Sequence, residues 1–380
     1  MKTKRSIITA VTVLLFIAFL ACAIAYFNKP DPNAVKSAAW QYRFVTVKVL
    51  EVLYDDASPD YIRSEGRRLG TQSLRVEIMD GIHKGDVATC NNYLSALANI
   101  DLKVGDTAIM RVVDYDDGTY SLNMQNYNRG PVYIAFIIVF FVLVIALGGK
   151  KGAMSLLGLV FTLICLWFLL LPMMRQGISP IPATILIVII TAAVSLFLLD
   201  GITKKSVSAV ISCIGGTLIA GLCAFAVGVI SPMNGWNTGE AETLMLQATD
   251  HGLNISGLLV CSIIISALGA TMDVAMSISS AISEIHSLNP QTSSKNLFIS
   301  GMNIGRDAMG TMTNTLILAF CGSSLNMLIL TQAYDIPLKQ LINTDIINIE
   351  ILQGVAGSIG IVLTVPLVAF ISSKIMKVKA

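Results

Sequence analysis

Apolar residues in this chain gather into long unbroken runs joined by short polar links, with one polar, alternating stretch after the first run. The first run covers 7–27, and about 20 apolar residues is the length of one bilayer crossing. Lys2, Lys4 and Arg5 precede it, which places its N-terminus in the cytoplasm. The small residues Ala23 and Ala25 also suit a cleaved leader, but the run is long for a leader's core. Residues 1–29 are therefore expected to be a first transmembrane helix or signal anchor. Seven further runs cover 132–147, 153–171, 181–199, 207–230, 255–278, 309–330 and 351–371.

Between these regions, 38–127 reads as strands. Val45, Val47 and Val49 alternate with polar neighbours, and the pattern returns at 73–79, 84–89, 107–113 and 119–124, with a polar loop over 54–70. Asp80-Gly81 and Asp117-Gly118 are hairpin turn pairs, and Leu102 to Asp106 resembles the turn that opens a strand in small barrels. Five short strands in about 85 residues predict a small all-β, OB-like closed barrel. Asp55, Asp56, Asp114, Asp116 and Asp117 argue against nucleic acid as its ligand.

The links decide orientation. Lys150 with Lys151, Lys204 with Lys205, and the tail lysines 374, 377 and 379 all fall on one side if the runs alternate. Placing that side in the cytoplasm predicts an α-helical integral membrane protein of about eight transmembrane helices, both termini inside and the β domain outside. The expected domains are 1–29, 38–127 and a seven-helix domain over 131–380, in a bacterial plasma membrane. Composition agrees: 54% apolar, 13% charged and a mean hydropathy of +0.72 exclude an ordinary soluble domain. Six of the seven cysteines lie in apolar runs, only Cys90 does not, and His83, His251 and His286 are far apart. No disulfide framework, metal site or cofactor is expected.

Three late runs carry polar stripes. On 300–322, Asn303, Asp307, Gly310 and Asn314 share one face with Arg306 at its edge, while Gly301, Gly305 and Gly310 would let another backbone come close. The run before it carries Asp273, and the last carries Glu350, Gly354, Gly357 and Thr364 on one stripe, then Pro366 as a kink. A charge at bilayer depth costs about 3 kcal/mol on insertion scales, so such groups normally face the protein interior. Asp273, Asn303, Arg306, Asp307, Asn314 and Glu350 are therefore expected to form a shared pathway for a polar solute or ion among the last three helices. The plainer alternative is a polar packing seam.

The stretches Gly269-Ala-Thr-Met-Asp-Val-Ala-Met-Ser-Ile278, Asn289-Pro290 and Ser300-Gly-Met-Asn-Ile-Gly-Arg-Asp-Ala-Met-Gly-Thr-Met-Thr-Asn-Thr-Leu-Ile-Leu-Ala319 resemble the YibE/F family of bacterial multi-pass membrane proteins. Asn126-Tyr-Asn-Arg-Gly130, which closes the strand-rich segment, fits the same family. The resemblance implies a permease. Partners expected on this reading are the lipid bilayer, a small polar solute or ion, and a protein at the outer β domain. Two other functions remain open. One is a structural or signalling membrane protein acting through the β domain. The other is an intramembrane hydrolase using Asp273 and Asp307, against which the missing Gly-x-Gly-Asp and HExxH patterns argue. No GxxxxGK[ST] is present, and no enzyme activity is expected.

Overall fold

The computed structural model describes residues 16–29, 43–62, 64–115, 117–248 and 252–377. The start of the first apolar run with its basic residues, most of the linker to the β domain, and Asp116, His251 and Lys379 lie outside them. Two compact units separate, Pro32–Leu143 on one hand and Met1–Asp31 with Val144–Ala380 on the other.

In the first unit, six antiparallel strands form one sheet: β1 (Arg43–Asp55), β2 (Ser58–Asp60), β3 (Arg67–Ile78), β4 (Val87–Leu94), β5 (Thr107–Asp114) and β6 (Tyr120–Tyr127). The order is β4-β3-β1-β5-β6, with β2 paired to the start of β3. Alternation puts Val45, Val47 and Val49 of β1 inside with Leu74, Val76 and Ile78 of β3 and Ala108, Met110 and Val112 of β5. Gly105, at φ +93°, makes the turn before β5, and its N–H reaches the Val49 carbonyl at 2.9 Å.

Two expectations are corrected here. Residues 54–70 are not all loop, because β2 and the first residues of β3 lie within them. The sheet is a half-barrel rather than a closed one, since no ladder joins β4 to β6 among the described residues. Alternation dictates which face is buried; closure depends on strand tilt and stagger, which no single strand's pattern carries.

A buried polar network plugs one end of this core. Gln72 and Asn92 are each 1% exposed. Gln72 Nε2 donates to Asp55 Oδ2 (3.1 Å), Asp101 Oδ1 (3.2 Å) and the Leu102 carbonyl (3.1 Å). Its Oε1 accepts from Asn92 Nδ2 at 3.0 Å and from the Leu102 N–H at 3.2 Å. Arg68 donates to Asp55 at 2.6 Å and to Asp101 at 2.9 Å. The Arg68 hydrogen bond holds the Asp55 carboxyl below the usual carboxylate range.

In the second unit, α1 covers Phe16–Phe27. Gly130–Cys165 forms α2, which belongs to the first unit up to Leu143 and to the second from Val144, and whose run continues through a π-helical turn at Leu166–Leu170 into α3 (Leu171–Arg175). The helices α4 (Pro180–Asp200), α5 (Lys204–Ile230), α6 (Ala241–Ala248), α7 (Leu258–Leu288), α8 (Ser294–Ser323), α9 (Leu325–Ala333), α10 (Leu338–Leu341) and α11 (Asp345–Ile375) follow. Thr203 caps α5 in a capping box with Ser206.

Five of these helical runs are long and apolar enough to cross a membrane, six if α8 and α9, bent by 62°, count as one. The expected runs 132–147 and 153–171 merge into one 46-residue stretch that turns sharply at Gly149 (φ 54°, ψ −136°). The seventh run begins at Ser294, not 309, because the Ser293 hydroxyl caps a helix that passes through polar residues. Ala183, Ile187, Ala192 and Leu196 of α4 are buried and contribute to the core. The helix α5 packs closely against α11. A Cβ on its Gly216 would overlap Thr364 Oγ1 of α11, and one on Gly360 would lie 2.8 Å from Ala220 Cβ.

Gln72→Leu is expected to leave the Leu102 N–H and one of the two Asn92 Nδ2 hydrogen bonds without an acceptor, costing the β domain about 2 kcal/mol. Hydrogen exchange of β3 amides in the intact chain measures it; wild-type protection would exclude the network as a stabiliser. Because the folded-state pKa of Asp55 is depressed, its stabilisation is full above the ordinary carboxylate value of about 3.9 and is lost as pH falls through the lower folded value. Acid weakening of the domain is therefore expected to shrink in an Arg68→Leu variant.

Candidate functional site

A cavity of about 320 Å³ lies among the second half of α2, α4 and α7. Its polar lining is Ser155, Thr162, Thr184, Thr191, Ser195 and Asp273, set among Leu, Ile, Val and Met side chains. Gly158 of α2 brings the walls together, since a Cβ there would sit 3.2 Å from Ser195 Oγ. Thr162 donates to the Gly158 carbonyl at 2.9 Å, and Thr191 to the Ile187 carbonyl at 2.8 Å, each leaving lone pairs free. Thr184 Oγ1 is buried with no hydrogen-bond partner of normal geometry, and the Cys261 thiol lies beside it. Asp273 is the only ionisable side chain in the lining. The lining runs from Thr184 to Leu199 along α4, 15 residues or about 22 Å of helix. That is most of a hydrocarbon core about 30 Å thick.

At the far end of α4, next to the lining residue Leu199, Asp200 holds Lys205 Nζ at 2.8 Å and Lys151 Nζ at 3.9 Å. The charged groups thus begin where the apolar helix stops.

The other candidates fall elsewhere. On α8, the glycine face turns inward: a Cβ on Gly301 would lie 2.6 Å from Ile282 Cδ1, and one on Gly305 would overlap Val365 Cγ1. A Cβ on Gly357 of α11 would lie 2.8 Å from Leu316 and one on Gly354 3.7 Å from Phe320, so α8 runs antiparallel to α11. The opposite face carries Asn303, Arg306, Asp307, Gly310 and Asn314, all exposed. Among the described residues no atom approaches a Cβ on Gly310 within 4 Å, so it packs against none of the described helices. Among the described residues Arg306 makes one hydrogen bond, to Asn303 Oδ1 at 3.2 Å, and no ion pair joins it to Asp307 or Asp273.

Glu350 lies 15 residues before Val365 on α11, about 22 Å from the level of Gly305. Its Oε2 is buried without a partner. The expected convergence of Asp273, Arg306, Asp307 and Glu350 is therefore corrected. Helical spacing gave each residue's stripe, but the neighbour each stripe meets depends on packing. The same separation removes the geometry of an aspartyl dyad, because Asp273 lines the cavity and Asp307 does not.

Sequence reasoning missed the cavity hydroxyls, since each lies alone in an apolar helix, and those of Thr162 and Thr191 bond the backbone of their own helix. Their spacing held a signal: Thr184, Thr191 and Ser195 follow at seven and four residues, one face of α4.

The YibE/F-like protein family matches residues 136–378, well over half of the chain. The chain belongs to the YibE/F-like family. The match covers every helix that builds the cavity and the α8 face, while the strands lie ahead of it. No curated protein and no solved structure matches. Among the described residues of this YibE/F-like protein, no three His, Cys, Asp or Glu are grouped to hold a metal ion.

Gly305→Val is expected to push α8 off α11 at a cost of about 3 kcal/mol, since neither Val365 nor Ile278 has room to retreat. Thermal unfolding of the purified protein reads this; an unchanged melting temperature would show that α8 does not pack there.

Proposed function

We propose that this YibE/F-like protein is a membrane permease that carries a small cation, or a small polar solute together with a proton, through the cavity between α2, α4 and α7. The observation behind this reading is the lone carboxylate of Asp273 in a hydroxyl-lined cavity. Hydroxyl and carboxylate oxygens are hard donors suited to a cation, and no basic side chain lines the space to attract an anion. An acid within a membrane bundle is expensive to keep unless it binds something, and such residues mark ion and proton pathways. Asp273 binds the cation or the proton, while Thr184, Thr191 and Ser195 replace part of the hydration shell. No covalent step is involved.

Access from the two sides follows from the proposed topology of eight spans, with two in the stretch broken at Gly149, both termini in the cytoplasm and the β domain outside. Antiparallel packing of α8 on α11 supports alternating directions, and Lys377 Nζ, 2.8 Å from the Pro290 carbonyl, keeps the C-terminal end beside the α7–α8 turn. A reporter fused after Lys205 is expected to read cytoplasmic and one at Gly239 external; the reverse pattern would discard this topology.

Transport is tested in proteoliposomes with a panel of Na⁺, K⁺, NH₄⁺ and proton gradients. Asp273→Asn is expected to fold normally and lose the flux that wild type shows. In a background without native cysteines, Met272→Cys is expected to react with a charged thiol reagent and to be protected by the transported ion. Full flux in Asp273→Asn would refute the role of this carboxylate.

A further inference from the structure

We propose that the exposed polar face of α8 is a two-fold interface with a second copy of this chain, in which Arg306 of each copy pairs with Asp307 of the other. Both residues sit 12 and 13 positions into a 30-residue helix, about 18 Å from its start, and so lie within the hydrocarbon. The chain itself leaves them uncovered. Leaving them toward lipid would cost about 3 kcal/mol each, so the face needs an occupant.

The spacing selects a copy of the same helix. Asn303, Asp307, Gly310 and Asn314 follow at intervals of four, three and four, the seam spacing of two helices wound together. Relative to the line through Asn303, Gly310 and Asn314, Asp307 lies about 40° to one side and Arg306 about 60° to the other. Copies inserted in the same orientation have parallel α8 helices. A two-fold axis along the membrane normal then sets the Asp307 side of one helix against the Arg306 side of its partner, at nearly the same depth. Both ion pairs form at once, and residue meets like residue along the seam. Gly310, with no neighbour among the described residues, lets the helices approach there. Neighbouring positions on one helix do not face each other, so Arg306 and Asp307 of a single copy do not satisfy this arrangement internally. The interface lies on α8 and Asp273 lies in the cavity of α2, α4 and α7, so this inference stands apart from the transport reading.

The test uses the full chain in native membranes and in nanodiscs. Without native cysteines, Asn303→Cys, Gly310→Cys and Asn314→Cys are each expected to form disulfide-linked dimers, while Leu222→Cys on the outer surface of α5 is not. Arg306→Asp and Asp307→Arg, each combined with Gly310→Cys, are expected to lower cross-linking at least about tenfold through like-charge contact. Co-expression of the two variants is expected to restore it as a mixed dimer, because two acids then face two bases, and only pairing between copies gives this result. That rescue also separates lost pairing from failed folding. Cross-linking of either charge variant at the wild-type level, failure of the mixed pair to cross-link, or linkage of Gly310→Cys to a different protein would each overturn the interface.

Discussion

Close approach of helix backbones at glycine is the constraint on which the membrane unit depends. Between helices in lipid there is no hydrophobic drive, because the solvent is as apolar as leucine, and contact must come from packing. Gly216 and Gly360 bring α5 and α11 together, and Gly301 and Gly305 seat α8 against α7 and α11. Thr217 and Thr271 exchange a hydrogen bond at 2.8 Å across α5 and α7, which suits a space too narrow for larger side chains. These contacts use the smallest residues and leave no room for charge at the centre of the bundle.

Charge is accordingly displaced to two other places. Asp273 lies on the cavity between α2, α4 and α7, and Arg306 and Asp307 lie on the outside of α8. In the β domain the solution is the reverse. There Gln72 and Asn92 are buried, with both polar atoms of Gln72 and Nδ2 of Asn92 hydrogen-bonded to backbone, carboxylate or each other.

Much of this was legible beforehand, for identifiable reasons. Val45, Val47 and Val49 declare a strand by period alone, and Gly105 and Gly118 declare turns because only a positive φ fits there. Gly216, Gly301 and Gly305 declare contact because a helix rarely keeps glycine without a neighbour to receive it. What stayed hidden concerns partners. Ser58 to Asp60 is too short to show a period, and its place is set by pairing with Arg67 to Leu69. Asp273 and Asp307 have similar sequence surroundings and are both exposed, yet Asp273 lines the cavity and Asp307 does not. That difference comes from α4 and α2, over 70 residues earlier in the chain.

The conformation of Gly149 has an effect out of proportion to one residue. With φ 54° and ψ −136°, it lies where side chains other than hydrogen are strained, and the turn is tight enough that a Cβ at Gly152 would overlap the Val144 carbonyl oxygen. Drawn straight, the 46-residue run would measure about 69 Å, more than twice the hydrocarbon thickness. On the proposed topology this single dihedral pair sets the parity of the chain. Straightened, it would make two passes into one, and every later helix would be threaded upside down, with the mouths of the cavity exchanged between the two sides of the membrane.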